Sequence, residues 1–130
     1  MKLLVDTHTF LWLMESPEKL SERASDECSD PANSLHLSAA SLWEIQIKLQ
    51  LGKLALDVPL SDVVKAEVTN GSFELLPIRA EHVLAVGDLP PHHNDPFDRM
   101  LIAQARTEDM EFVTTDSVIR QYASLARILW

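Results

Sequence analysis

The sequence predicts an α/β fold, a three-layer α/β/α sandwich around a central, mainly parallel sheet. Residues 2–5, 34–37, 73–76 and 112–114 form short, largely apolar runs without the polar alternation of a half-exposed strand. Such runs suit strands covered on both faces. Between them lie longer stretches with helical spacing of apolar residues and recognisable helix caps, the order expected of crossover connections. The length of 130 residues, with 46% hydrophobic and 24% charged residues, suits one domain over 1–130 with a buried core.

The elements follow in order. Lys2-Leu3-Leu4-Val5 reads as a buried strand ending at Asp6, and residues 7–14 as a helical segment. Ser16-Pro17 marks a second helix, expected to run to about Ser29 with Leu20, Ala24 and Cys28 on one stripe. Asp30-Pro31-Ala32-Asn33 is a turn, and 34–37 the second strand. Ser38 caps a helix over 39–51, closed by Gly52. Pro59-Leu60 opens a helix to Val68, stopped by Asn70-Gly71 before the third strand at 73–76. A short helix covers 79–86. Residues 89–95 (LPPHHND) form an irregular loop, and Asp95-Pro96 starts a helix to about Thr107. The fourth strand, 112–114, ends in Thr115-Asp116; a brief helix over 118–122 and an edge strand over 126–130 complete the chain.

Composition excludes several classes. Three glycines and no glycine-rich phosphate loop argue against a dinucleotide or P-loop fold, and no Gly-x-Ser-x-Gly elbow is present. Cys28 is the only cysteine, so neither an intramolecular disulfide nor a cysteine-rich metal site can form. The N-terminal apolar run is too short for a signal-peptide core and no 18-residue apolar stretch occurs, so a cytoplasmic, non-membrane protein is expected. The net charge of −9 works against gripping nucleic acid electrostatically unless carboxylates gather around bound cations.

Four carboxylates fit that exception. In open parallel sheets ligands bind outside the C-terminal ends of the strands. Asp6 ends the first strand and Asp116 follows the fourth. Glu44 lies on the second turn of the helix after the second strand, and Asp98 on the first turn of the helix from Pro96. Leu101, Ile102 and Ala105 stand three, four and seven residues beyond Asp98, so Asp98 continues an inward stripe. An unpaired charge there is costly to bury. A cation shared with Asp6 meets that cost, and hard oxygen ligands suit Mg2+ or Mn2+ over zinc. Carboxylates so crowded also repel, so one of them is expected to take up a proton near neutrality without metal.

Each acid has a plainer account. Asp6 and Asp116 can cap following helices, Glu44 can pair with Lys48, and Asp98 with Arg79 or Arg120. His92-His93 offers a softer metal site, weakly signalled without cysteine or a spaced third histidine. His8 suits either substrate contact or fixing the local turn.

The segments Val5-Asp6-Thr7-His8, Ser38 to Ile45 with Lys48 and Gly52-Lys53, His93 to Arg99 running into Leu101-Ile102-Ala103-Gln104-Ala105, and Thr114-Thr115-Asp116 together resemble the PIN-domain family. The likeness is to VapC-type toxins of type II toxin–antitoxin pairs. It spans nearly the whole chain and implies a PIN-like fold with Asp6, Glu44, Asp98 and Asp116 as catalytic metal ligands. Asp95 resembles the family's helix-entry residue, and Thr115 and Ser117 are placed to orient Asp116 or hold a water. The implied reaction is hydrolysis of RNA phosphodiesters by an endoribonuclease with one or two Mg2+ or Mn2+ ions. The implied partners are a second copy in a homodimer and a VapB-like antitoxin whose basic C-terminal segment blocks the site. Trp12, Leu13, Trp43 and residues 17–29 are the expected groove for that segment, and Lys48, Lys53 and Arg99 the local positives for RNA. The alternatives are a catalytically inactive binding module of the same fold and a structure-specific DNA nuclease.

Overall fold

The computed structural model describes all 130 residues. Five strands, β1 (Lys2–Val5), β2 (Ser34–Ser38), β3 (Phe73–Leu76), β4 (Glu111–Val113) and β5 (Arg127–Leu129), form one sheet in the order β3-β2-β1-β4-β5. Every neighbouring pair is parallel. The chain winds from β1 through β2 to β3 on one side, then returns to lay β4 against the other edge of β1. The strand order therefore reverses between β1 and β4, where an open α/β sheet opens a crevice.

Both faces of the sheet are covered, which explains the apolar strands. Leu4 and Phe112 point into one core, together with Leu101, Ile102, Ile119 and Tyr122. Leu3, Val5 and Val113 point into the other, with Phe10, Ala24, Leu37 and Ile45. Helices α1 (Thr7–Glu15), α2 (Glu22–Ser29) and α4 (Leu60–Val64) cover the second face, while α5 (Ala80–Val86) and α6 (Pro96–Thr107) cover the first. Helix α3 (Ala39–Gln50) joins the layers, with Ala40 in one core and Ile45 in the other.

Two elements depart from the sequence reading. The helix expected over 17–29 is broken into a 3-10 turn at Pro17–Lys19 and α2. Leu20 is extended between them and packs on the core, and Ser21 caps the new helix by accepting from the Ala24 amide at 3.0 Å. Burying one leucine and supplying a second cap outweighs an uninterrupted helix. The helix from Leu60 widens into a π-turn over Lys65–Thr69 before it ends. Elsewhere the caps act as read: Ser38 accepts from the Ala40 amide, and Asp95 from those of Phe97 and Asp98. Gly52 closes α3 with φ +70°, and the Lys53 amide donates to the Lys48 carbonyl at 2.9 Å. No helix is long and apolar enough to cross a membrane.

Candidate metal centre

At the C-terminal ends of β1 and β4, in the reversal crevice, lies a cleft of about 110 Å³ with no apolar residue in its wall. Asp6, Glu44, Asp95, Asp98 and Asp116 all line it, with Thr7, His8, Lys48 and Thr115. Five carboxylates from four separate segments thus face one space.

Asp6 is 5% exposed and doubly held. Its Oδ1 accepts the Thr9 amide at 2.7 Å, capping α1, and its Oδ2 accepts the Thr114 hydroxyl. Burial pushes its carboxyl above the ordinary range, and the Thr114 and Thr9 hydrogen bonds pull it partly back. Thr114 is reached because Val5 and Val113 are register partners, so the residues just beyond them meet. The same Thr114 oxygen accepts the Asp116 amide at 3.1 Å, linking the ends of both strands through one hydroxyl. Asp116 is aimed further by its own cap, in which Oδ1 accepts the Val118 amide at 2.8 Å.

Glu44, 6% exposed, is held from both sides. Thr7 donates to its Oε1 and Lys48 to its Oε2, each at 2.7 Å. The exposed-pair value of a few tenths of a kcal/mol does not apply to Lys48, since its partner is buried. Asp98 stands on the first turn of α6, above the fully buried Leu101 and Ile102. Its carboxyl is pushed up to about 7, first by burial and then by the charge of Asp95, with nearby His93 opposing the rise. The proton expected near neutrality therefore belongs to this cluster, in which the Asp98 and Asp6 carboxyls are both raised.

His93 closes the arrangement. Its Nδ1 accepts the Asp95 amide at 3.0 Å, so its Nε2 carries the hydrogen. That Nε2 lies 3.0 Å from Asp98 Oδ2 and 3.2 Å from Asp116 Oδ2, between the two carboxylates. The His93 Nε2 and the Asp98 and Asp116 oxygens lie within 4.8 Å of one another, so an ion there would be held by the two carboxylates, with His93 a ligand only once its Nε2 gives up the hydrogen. A second cluster of Glu81, His82 and Glu108 has the same span. There, however, the buried His82 uses Nδ1 to accept the Arg79 amide and Nε2 to reach Glu108 at 2.9 Å. That cluster offers two carboxylates against the five of the acidic cleft, which is therefore the better fit for a hard divalent cation.

A PIN domain family model matches residues 3–125. The chain belongs to the PIN-domain family. Among solved structures it is similar to VapBC2 from Rickettsia felis bound to a DNA fragment from its promoter, with TM-score 0.71, 14% identity and 100% of both chains covered. VapBC-1 from nontypeable Haemophilus influenzae gives TM-score 0.68 at 16% identity, covering 98% of this chain and 96% of that one. FitAcB from Neisseria gonorrhoeae gives 0.68 at 16%, covering 97% and 96%. A comparison with curated proteins finds no match.

In this PIN domain the structure brings Asp6, Glu44, Asp98 and Asp116 together, and Asp95 joins them at the rim. The alternative partners for Asp98 are not used: Arg79 pairs with Glu108 at 3.5 Å, and Asp98 with His93. Three expectations are corrected. Arg99 is no RNA-facing positive, because its guanidinium donates to the carbonyls of Val86, Leu89, Pro90 and His93. Trp12 and Trp43 do not share a groove; they line depressions with no residue in common. Ser117 is not in the cleft wall, and Thr114 positions Asp116 instead.

Thr7, Thr114 and His93 stand in segments the sequence singled out, but their roles in holding the carboxylates were not assigned there. Thr7 adjoins Asp6 and Thr114 stands two residues before Asp116, so a polar β-branched residue near each strand-end carboxylate was the available signal. His93 has no local signal, since its position depends on how the 89–95 loop is tied down. Tyr122 does this with Arg99: its hydroxyl accepts the His92 and His93 amides at 3.1 and 2.9 Å and donates to the Pro90 carbonyl at 2.8 Å. Tyr122→Phe leaves the His93 amide without its acceptor, while the His92 amide keeps the Pro90 carbonyl at 3.0 Å, so a loss of about 1–3 kcal/mol is expected in denaturant unfolding. The His93 ring resonance should move with it. An unchanged midpoint and unchanged imidazole signals would show that the loop holds its shape without the tyrosine.

Proposed function

We propose that this PIN-domain chain is a Mg2+- or Mn2+-dependent endoribonuclease, the toxin of a toxin–antitoxin pair, held inactive by its cognate antitoxin. The observation that carries the reading is the convergence of Asp6, Glu44, Asp98 and Asp116 from four segments on one apolar-free cleft. Those four residues would hold one or two ions, which supply Lewis-acid polarisation of the phosphate and an activated water.

The chain's own residues set the stage for that chemistry. Thr114 fixes the spacing of Asp6 and Asp116 through a single hydroxyl. Thr7 and Lys48 hold the Glu44 carboxylate in one orientation, and Lys48 offsets part of the local negative charge. Asp95 holds α6 by its first turn, and its charge adds to burial in raising the Asp98 carboxyl. His93 presents an N–H between Asp98 and Asp116 and draws the two carboxylates together.

The similar solved proteins include toxin–antitoxin complexes, one a "Toxin-antitoxin complex from Klebsiella pneumoniae", which supports an antitoxin partner here. Self-association is supported by an apolar depression formed by Trp43, Ile78, Phe97 and Met100. Trp43 is 60% exposed there and meets Phe97 edge-on at 5.2 Å. Exposed patches of this kind are where copies or partners meet.

The test is turnover of a panel of cellular RNAs by purified protein with Mg2+ or Mn2+, against a chelator blank. Sequencing of RNA ends after brief expression, beside an Asp6→Asn control, maps the cut. Metal-dependent cleavage lost in Asp6→Asn is the expected result. Cleavage that persists in chelator, or no cleavage of any RNA with either metal, would overturn the reading.

A further inference from the structure

A second depression, of about 300 Å³, adjoins the acidic cleft and shares Thr7, His8 and Lys48 with it. That volume is at the lower end of small-molecule sites. Its charge is opposite to that of the cleft. Lys19, Lys48 and Lys53 line it against a single carboxylate, Glu15, so three of the chain's five lysines gather in one groove of a protein with net charge −9. Lys48 is paired with Glu44, whereas Lys19 and Lys53 have no carboxylate partner. Lys53 arrives there through the left-handed turn at Gly52, which folds the chain back on the end of α3. An aromatic surface completes the groove. Trp12 is half-buried in its wall, with the His8 ring 6.3 Å from its indole. The Lys19 ammonium stands 5.9 Å from the Trp12 ring centroid, at the outer limit of a cation–π contact and so easily withdrawn.

We infer that this groove is a subsite for one unstacked nucleotide of single-stranded RNA, adjoining the acidic cleft, with phosphate on Lys19 and Lys53 and base on Trp12. The inference rests on the ribonuclease reading above and specifies its substrate as single-stranded at this position. Five carboxylates repel a polyanion, and this groove, sharing three residues with the cleft, supplies positive charge beside them. A base pressed on an indole must leave its own stack, which selects a single strand over a duplex.

The experiment measures binding apart from cutting. Fluorescence anisotropy follows a labelled single-stranded RNA octamer, its duplex and the matching DNA octamer, each titrated with Asp98→Asn protein in magnesium. Into that background go Lys19→Gln with Lys53→Gln, both exposed and harmless to packing, and separately Trp12→Ala and Trp12→Phe. Expected are a roughly tenfold or greater weakening by the double lysine change and a salt slope shallower by about 0.7 per lysine removed. Trp12→Ala should weaken binding about tenfold, with Trp12→Phe retaining most of it. In the cutting enzyme the lysine changes should raise KM more than they lower kcat.

RNA affinity and salt slope unmoved by the lysine and tryptophan changes would overturn the subsite even if wild type cuts RNA. Duplex RNA bound more tightly than the single strand would do the same. So would variants that bind RNA normally but lose a co-expressed antitoxin, which assign the groove to a protein segment. DNA bound as tightly as RNA through the same residues would overturn the RNA assignment. Lysine- and tryptophan-dependent RNA binding by a protein that cuts nothing would support the subsite while the ribonuclease reading falls.

Discussion

Asp98→Asn protein is expected to cut RNA at least about a hundredfold more slowly than wild type, a loss beyond the 10–100-fold typical of groups that only support metal ligands. Without metal it should melt at or above the wild-type temperature. The substitution keeps the shape of a side chain standing over Leu101 and Ile102, so packing changes little. It removes a charge that burial and Asp95 both oppose. A structural carboxylate would behave otherwise, with a stability loss of about 1–2 kcal/mol and cleavage intact. Asp62→Asn, on the exposed side of α4, is the control and should change neither quantity. An Asp98→Asn protein that cuts as fast as wild type would remove this residue from the mechanism.

The second large effect is on stability against pH. The Asp98 carboxyl titrates at about 7 in the folded chain, against an ordinary value of 3.8. Between those values the folded state keeps a proton that the unfolded state has released. Stability is therefore full below about pH 4 for this group, falls as pH rises, and is lost above 7. At about 1.4 kcal/mol per unit, discounted for partial exposure, the metal-free protein should lose about 2–4 kcal/mol across the window. Asp6, also raised by burial, acts in the same direction. Asp98→Asn should flatten much of the slope.

Metal binding near neutrality should then expel the Asp98 proton, because a ligand must be deprotonated. Calorimetry in buffers of different ionisation enthalpy reads that release directly. Metal should also raise the melting temperature most at pH 7 and above, where the uncompensated carboxylates cost most. A metal-free stability curve flat from pH 4 to 8, with no proton release on adding Mg2+ or Mn2+, would contradict the geometry of the cleft.

What was legible in the sequence was local or periodic. Apolar runs without alternation announce strands covered on both faces, and the sheet has a core on each side. Ser38, Asp95 and Pro96 mark helix starts because a cap satisfies amides two or three residues away, a distance a sequence shows directly. The inward stripe from Asp98 through Leu101 and Ile102 follows from 3.6 residues per turn. The presence and approximate bounds of most elements, and a face for each acid, needed no tertiary information.

Tertiary packing decided the rest, since it depends on residues distant in the chain. Leu20 breaks an expected helix because a hydrophobic contact with the core outweighs helical continuity. Asp6 and Asp116 are joined through Thr114 only because β4 returns to pair with β1, a pairing across more than a hundred residues. Arg99 looked like a charge for RNA, yet five loop oxygens, four carbonyls and the Tyr122 hydroxyl, claim its guanidinium. That web places His93 between Asp98 and Asp116. Helix and strand periods are set by each residue's immediate neighbours and can be read along the chain, whereas a loop takes its shape from whichever distant donors and acceptors reach its backbone.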